Sequence, residues 1–221
     1  MWLRTAVIED PAQLLRMDFA ALGDGDHTSF DDALGGAPHT GAPLALVCTN
    51  GKRDRCCALL GRPLAAELAA SGTPGAWEVT HLGGHRFSPT LLVLPYGYAY
   101  GRIGAHAVKD VLAAVAEGRI VTGQCRGSSA WERPGQAAEL AVRTSTGEDR
   151  AGVLTVAAVD GVAPRWEVTV THADGRHWRV TVAQGASLPP RPESCGSALA
   201  SPARMDVVAV RADEARPGSP R

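Results

Sequence analysis

No stretch of the chain is an apolar run near the roughly 20 residues that a membrane-crossing helix needs. There is no excess charge of either sign: 22 Lys and Arg stand against 23 Asp and Glu, for a net charge of -1. That balance excludes a whole-chain attraction to nucleic acid or to an anionic membrane, and neither is expected as a partner. Aromatic residues are few, 5%, but 45% of the 221 residues are hydrophobic, so a core can be built largely from aliphatic side chains. The opening Met1-Trp2-Leu3-Arg4 is not followed by the apolar segment and small-residue cleavage site of a secretory signal, and acidic residues come within the first ten positions. A cytoplasmic protein is expected. Nothing in the composition indicates an oligomeric state.

Five cysteines are present: Cys48, Cys56, Cys57, Cys125 and Cys195. An odd number without a signal segment argues against a disulfide framework. Clustered cysteines in a reducing compartment point instead to metal ligands or redox thiols, and three of these fall within ten residues. There is no C-x-x-C, so the dithiol motif that opens a thioredoxin helix is missing.

The pattern along the chain predicts a mixed α/β protein. Residues 1–41 read as an N-terminal extension, with a short strand over Thr5–Ile8, a helix after Asp10-Pro11, and a loop from Gly23 to Gly41. Leu44–Val47 reads as a buried strand ending at Cys48. Cys57–Ser71 has helical spacing of Leu60, Leu64 and Leu68 and stops at Gly72. Trp77–Thr80, Thr90–Leu94 and Tyr98–Arg102 are strands, and Ala105–Glu117 is a helix. The order β-α-β-β-β-α is the layout of a thioredoxin-type fold, assigned to residues 42–145 with a last helix over 134–146. Beyond it the period changes to two: Val153–Val156, Trp166–Val170 and Trp178–Val182 alternate, with turns predicted at Asp160-Gly161 and Asp174-Gly175. Residues 146–210, with Met205–Val210 as one more strand, read as a C-terminal antiparallel β meander. Residues 211–221 read as a disordered tail.

Two segments carry the chemistry. Cys48-Thr-Asn-Gly-Lys-Arg-Asp-Arg-Cys56-Cys57 runs from a strand end to a helix start, and His81-Leu-Gly-Gly-His85 follows the next strand. In a βαβ unit these points lie at one edge of the sheet, so two thiols and two imidazoles should converge. Such a set binds zinc, or a [2Fe-2S] cluster in which two His replace two Cys; spacing alone does not choose between them. Lys52, Arg53 and Arg55, between the cysteines, could offset cluster charge or dock an acidic partner, or simply be solvated. Pro89, before the third strand, is a candidate cis-proline. Cys125 reads as a packed thiol and Cys195 as incidental.

These segments, with His85-Arg-Phe-Ser-Pro-Thr90, Leu94-Pro-Tyr-Gly-Tyr-Ala-Tyr-Gly-Arg102, Cys125-Arg-Gly-Ser-Ser and Gln136-Ala-Ala-Glu-Leu-Ala-Val142, resemble the bacterial sucrase/ferredoxin-like family. The family includes fungal actin-patch-distribution proteins and is related to thioredoxin-like ferredoxins. The resemblance covers residues 43–145 closely and 146–210 loosely. It implies a thioredoxin-like ferredoxin domain with a [2Fe-2S] cluster held by Cys48, Cys57, His81 and His85, with Cys56 as the alternative to Cys57. Relatives often carry a longer N-terminal region, so a shortened start is a further expectation. The implied function is one-electron transfer to an unidentified redox partner protein, or redox sensing, by a protein that is not itself a catalyst. The alternative is a zinc-stabilised module with the same four ligands, and last comes a thiol oxidoreductase using Cys56 and Cys57. Despite the family's name, no pairing of carboxylates suited to sucrose hydrolysis is evident.

Overall fold

The structure, a computed structural model, describes residues 3–52 and 55–213. Arg53, Asp54 and the segment 214–221, on which some sequence expectations fall, lie outside the described residues. The chain divides into two compact units, one up to Ala42 and one from Pro43 onward.

In the first unit β1 (Arg4–Thr5) pairs antiparallel with β2 (Ala37–Pro38). Between them lie a 3-10 helix (Pro11–Arg16), α1 (Phe19–Gly23) and α2 (Thr28–Leu34). Asp10 and Asp18 accept backbone N–H bonds at the first two helix starts, which the aspartates at these positions favour. Helix α2 falls inside the segment expected to be loop. It is held by charge: Asp31 accepts from Arg4 Nε at 2.9 Å and stands 2.8 Å from His27 Nδ1. No described residue of this unit is fully buried.

The second unit opens with a five-stranded sheet in the order β4-β3-β5-β6-β7. Its strands are β3 (Leu44–Cys48), β4 (Ala76–Val79), β5 (Thr90–Leu94), β6 (Tyr98–Gly101) and β7 (Cys125–Ser128). β3 runs parallel to β4 and antiparallel to β5, and β5-β6 and β6-β7 are antiparallel. Ala45, Val47, Leu91, Val93, Tyr98 and Tyr100 share one face and pack with α3 (Arg62–Ala70) and α4 (Ala105–Ala116) as the first core. The result is a mixed α/β fold with a central sheet and flanking helices.

The second sheet is antiparallel, ordered β13-β10-β9-β8. It contains β8 (Leu154–Val162), β9 (Arg165–His172), β10 (His177–Ala186) and β13 (Ala203–Asp213). Period-two alternation puts Val168, Val170, Val180 and Val182 inward, against Ala138 and Val142 of α5 (Arg133–Thr146), as a second core. Asp174-Gly175 turns the chain as expected, but Asp160-Gly161 does not. Both are paired in the ladder, opposite Glu167 and Trp166, and the turn comes at Ala163-Pro164, where proline lacks the N–H to continue the ladder. Between β10 and β13, β11 (Arg191–Pro192) pairs with β12 (Leu199–Ala200). β13 continues through Arg211 to Asp213, paired to β10, so the start of the expected tail is strand.

α5 joins the two cores through a buried polar knot. Glu139 and Arg143 are both fully buried and pair at 3.0 Å. Tyr98 of the central sheet donates to Glu139 Oε1 and accepts from Arg143 Nη2 at 3.0 Å. Arg143 Nη1 donates to the carbonyls of Glu148 and Arg150 at 3.2 and 2.9 Å. Burial beside the Glu139 carboxylate raises the Tyr98 phenol above its ordinary value. Among the described residues no helix is long and apolar enough to cross a membrane.

Candidate functional site

The strand end, helix start and loop that the sequence singles out do meet at one edge of the central sheet. A π-helical turn (Cys57–Gly61) leads into α3, and its last residue rests on the strand end. A Cβ on Gly61 would lie 2.1 Å from the Cys48 carbonyl oxygen, so only glycine allows this approach. Gly84 takes a left-handed φ of 66° and feeds a 3-10 turn, His85–Phe87. That turn leads into a Ser88-Pro89 bond which is cis, as expected, and Ser88 Oγ donates to the Cys56 carbonyl at 2.9 Å.

The four expected metal ligands do not form a cage. Among the described residues no group of three or more His, Cys, Asp or Glu could hold a metal ion. This corrects the expectation of a [2Fe-2S] cluster on Cys48, Cys57, His81 and His85, its zinc alternative, and the iron-sulfur electron transfer built on them. The reason lies in where each side chain is sent. Cys48 is fully buried, its Sγ 4.0 Å from the Thr80 carbonyl. Cys57 is fully buried in the helix start. Successive residues of a helix are turned by about 100°, so neighbouring cysteines cannot share a direction. It is Cys56 that meets the histidine loop, and it does so through backbone: its Sγ lies 3.4 Å from the His85 carbonyl. The His81 Nδ1 is buried without a hydrogen-bond partner among the described residues, and both ring nitrogens of His85 are buried.

The sulfur that Cys56 does meet is remote in sequence. Cys195 Sγ lies 3.8 Å from Cys56 Sγ, across 139 positions. Cys195 sits between β11 and β12 and is exposed, whereas Cys56 is half-buried. No cysteine is in a disulfide, and the pair is in van der Waals contact as thiols. Cys125 is a different case: burial pushes its thiol up to about 11, so it stays protonated and unreactive at neutral pH.

Beside this pair opens a cleft of about 1170 Å³, walled by the His85 loop, β5, β6, α5, β11 and β13. Its rim is cationic. The guanidinium carbons of Arg126, Arg86 and Arg102 lie 3.5, 4.8 and 5.3 Å from the centre of the Phe87 ring. Arg102 holds a left-handed φ of 58°, uncommon for a residue with a side chain. Gly101 permits the contact, because a Cβ there would come 2.8 Å from that of Phe87. Burial and the charges of Arg86, Arg102 and Arg133 lower the Arg126 guanidinium from its ordinary value. Arg86 is lowered by burial and then by Arg133, Arg191 and Arg102, against which Glu193 alone works. Guanidiniums about 8 Å apart at an effective dielectric of about 20 repel by about 2 kcal/mol per pair. Cation–π contact with one ring returns about 0.5–2 kcal/mol for each. Sequence reading missed both the thiol pair and this rim, because their members are scattered over separate segments. The one signal was the Arg86-Phe87 and Gly101-Arg102 pairs inside the motifs.

Residues 8–127, over half the chain, match the sucrase/ferredoxin-like family, and the protein belongs to it. The match starts earlier than the motifs suggested and ends at Gly127, before α5 and the whole second sheet. No curated protein and no solved structure matches the chain.

Proposed function

We propose that this member of the sucrase/ferredoxin-like family is a thiol-based redox protein whose centre is the Cys56–Cys195 pair. The observation that carries the reading is the 3.8 Å contact of their sulfurs, with one thiol exposed and the other behind it. The order β4-β3-β5-β6, one parallel pairing and two antiparallel, supports a thioredoxin-like reading of the central sheet. Cys56 then stands at the helix start where such folds keep their reactive thiol.

The exposed Cys195 thiolate attacks a disulfide of a partner protein. A Cys195–partner mixed disulfide forms and one partner thiolate leaves. The Cys56 thiolate then attacks the Cys195 sulfur, forming the Cys56–Cys195 disulfide and releasing the second partner thiol. Two electrons and two protons pass from this chain to the partner, and the reverse sequence restores the dithiol. The protein is a carrier or sensor rather than a catalyst of its own reaction, and we assign it to the cytoplasm, where the dithiol is the resting form.

The test is oxidation of the full chain by glutathione disulfide, followed by mass spectrometry of non-reduced peptides. The expected product is a Cys56–Cys195 cross-link. Cys56→Ser is expected to stop at a glutathione adduct on Cys195. A cross-link between other cysteines, or no cross-link under conditions that modify Cys195, overturns the reading.

A further inference from the structure

We propose that the arginine-rimmed cleft is a binding site for a small organic diphosphate with an apolar body. The inference goes beyond the thiol reading and does not depend on it.

The charge of the rim is not balanced from within. Arg86, Arg126, Arg133 and Arg191 all line the cleft, and among the described lining residues Glu193 is the one carboxylate. Glu193 is itself exposed and, among the described residues, pairs with Arg86 Nη1 at 3.4 Å. Arg204, also in the wall, is matched by Asp206 at 2.6 Å and adds no free charge. Arg126 and Arg133 make no ion pair among the described residues. The Nε of Arg191 is buried and lacks a hydrogen-bond partner among them. A buried donor left unbonded is costly, so Arg191 too is not fully answered by the chain around it.

The chemistry of the missing acceptor follows from the guanidinium. Its planar fork pairs two N–H groups with two oxygens of a phosphate or carboxylate. A carboxylate brings a single charge, too little for a wall in which Arg86, Arg126, Arg133 and Arg191 meet one carboxylate. A diphosphate brings several charges within the span of two linked tetrahedra and enough oxygens for three forks. Phe87 is not free to stack on a ligand, since arginines already lie over it. The body of the ligand instead meets Leu92, Leu140, Met205 and Val207, which also line the cleft. These side chains recognise an aliphatic or otherwise apolar group, and the volume suits a ligand larger than the head alone.

The probes are inorganic phosphate, inorganic pyrophosphate, succinate and geranyl pyrophosphate, titrated calorimetrically into the full chain at low ionic strength. Pyrophosphate is expected to bind once per chain, about tenfold more tightly than phosphate or succinate. Geranyl pyrophosphate is expected to gain about a further tenfold from its apolar body. Arg133→Gln and Arg126→Gln should each weaken pyrophosphate by about fivefold or more, with unchanged circular dichroism, while Cys56→Ser should bind as the parent does. The proposal is overturned by no saturable binding up to about 10 mM, by succinate binding as tightly as pyrophosphate, or by both arginine variants binding with parental affinity.

Discussion

Two arginine sites border the same helix, α5, and obey opposite rules. Under α5, Arg143 is fully buried, and its donors go to Glu139, to the Tyr98 hydroxyl and to two backbone carbonyls. Around the cleft, Arg86, Arg126, Arg133 and Arg191 lie in one wall whose single described carboxylate, Glu193, pairs with Arg86. The first pairs its charges within the chain, through Glu139 Oε1, although Glu139 Oε2 has no hydrogen-bond partner among the described residues, and it holds the two cores together. The second keeps its bonding capacity for something else. Burial alone therefore does not mark a functional arginine; what separates the two sites is whether each charge is answered from within the chain.

The contrast breaks most visibly at the knot. Arg143→Ala or Glu139→Ala leaves the other charge buried and unpaired. Either is expected to cost about 3–5 kcal/mol in urea unfolding. A loss under about 1 kcal/mol would show that water or rearrangement supplies the missing partner. Gly61→Ala is expected to cost about 2 kcal/mol or more, because its Cβ meets the Cys48 carbonyl. Gly72→Ala, where no atom lies near but φ is 66°, should cost about 1 kcal/mol.

A smaller effect distinguishes the rim. Arg133→Gln removes one of several like charges and should leave stability unchanged or raise it by up to about 1 kcal/mol, measured at low salt. A loss as large as that at Arg143 would mean that the rim is structural after all.

Acid supplies a further check on an answered charge. Hydrogen bonds from Arg150, the largest cause, hold the Glu148 carboxyl down to about 2 from its ordinary 4.5, with His172 contributing. A depressed carboxylate contributes stability above its unfolded value and loses it as pH falls. The parent should therefore exceed Glu148→Gln by about 1 kcal/mol at pH 7, and the two should converge between about pH 4.5 and 2. A gap that persists at pH 2 would contradict this origin.

Much of the fold was legible because it is periodic. The alternation at Trp166–Val170 and Trp178–Val182 predicts strands whose valines do line the second core, and Val108, Val111, Leu112 and Val115 predict the buried face of α4. β7 was hidden because Cys125-Arg-Gly-Ser has no apolar alternation and Gly127 holds a φ of 107°. α1 and α2 were hidden because they are short and are held by aspartate caps and an ion pair rather than an apolar face. At the site, the sheet-edge argument located the right loops but not the right atoms. It cannot tell which of two adjacent cysteines a helix turns toward the histidine loop. It gives no reason to pair Cys56, inside the family match, with Cys195, outside it.

The central claim is that those two sulfurs form one redox centre, and its most direct measurement is an equilibrium titration of the full chain in glutathione buffers, read by alkylation and mass spectrometry. The account predicts that Cys56 and Cys195 lose reactivity together, in one two-electron step, while Cys48, Cys57 and Cys125 stay unmodified throughout. Independent titration of Cys56 and Cys195, or a glutathione adduct on either as the end product, would contradict it.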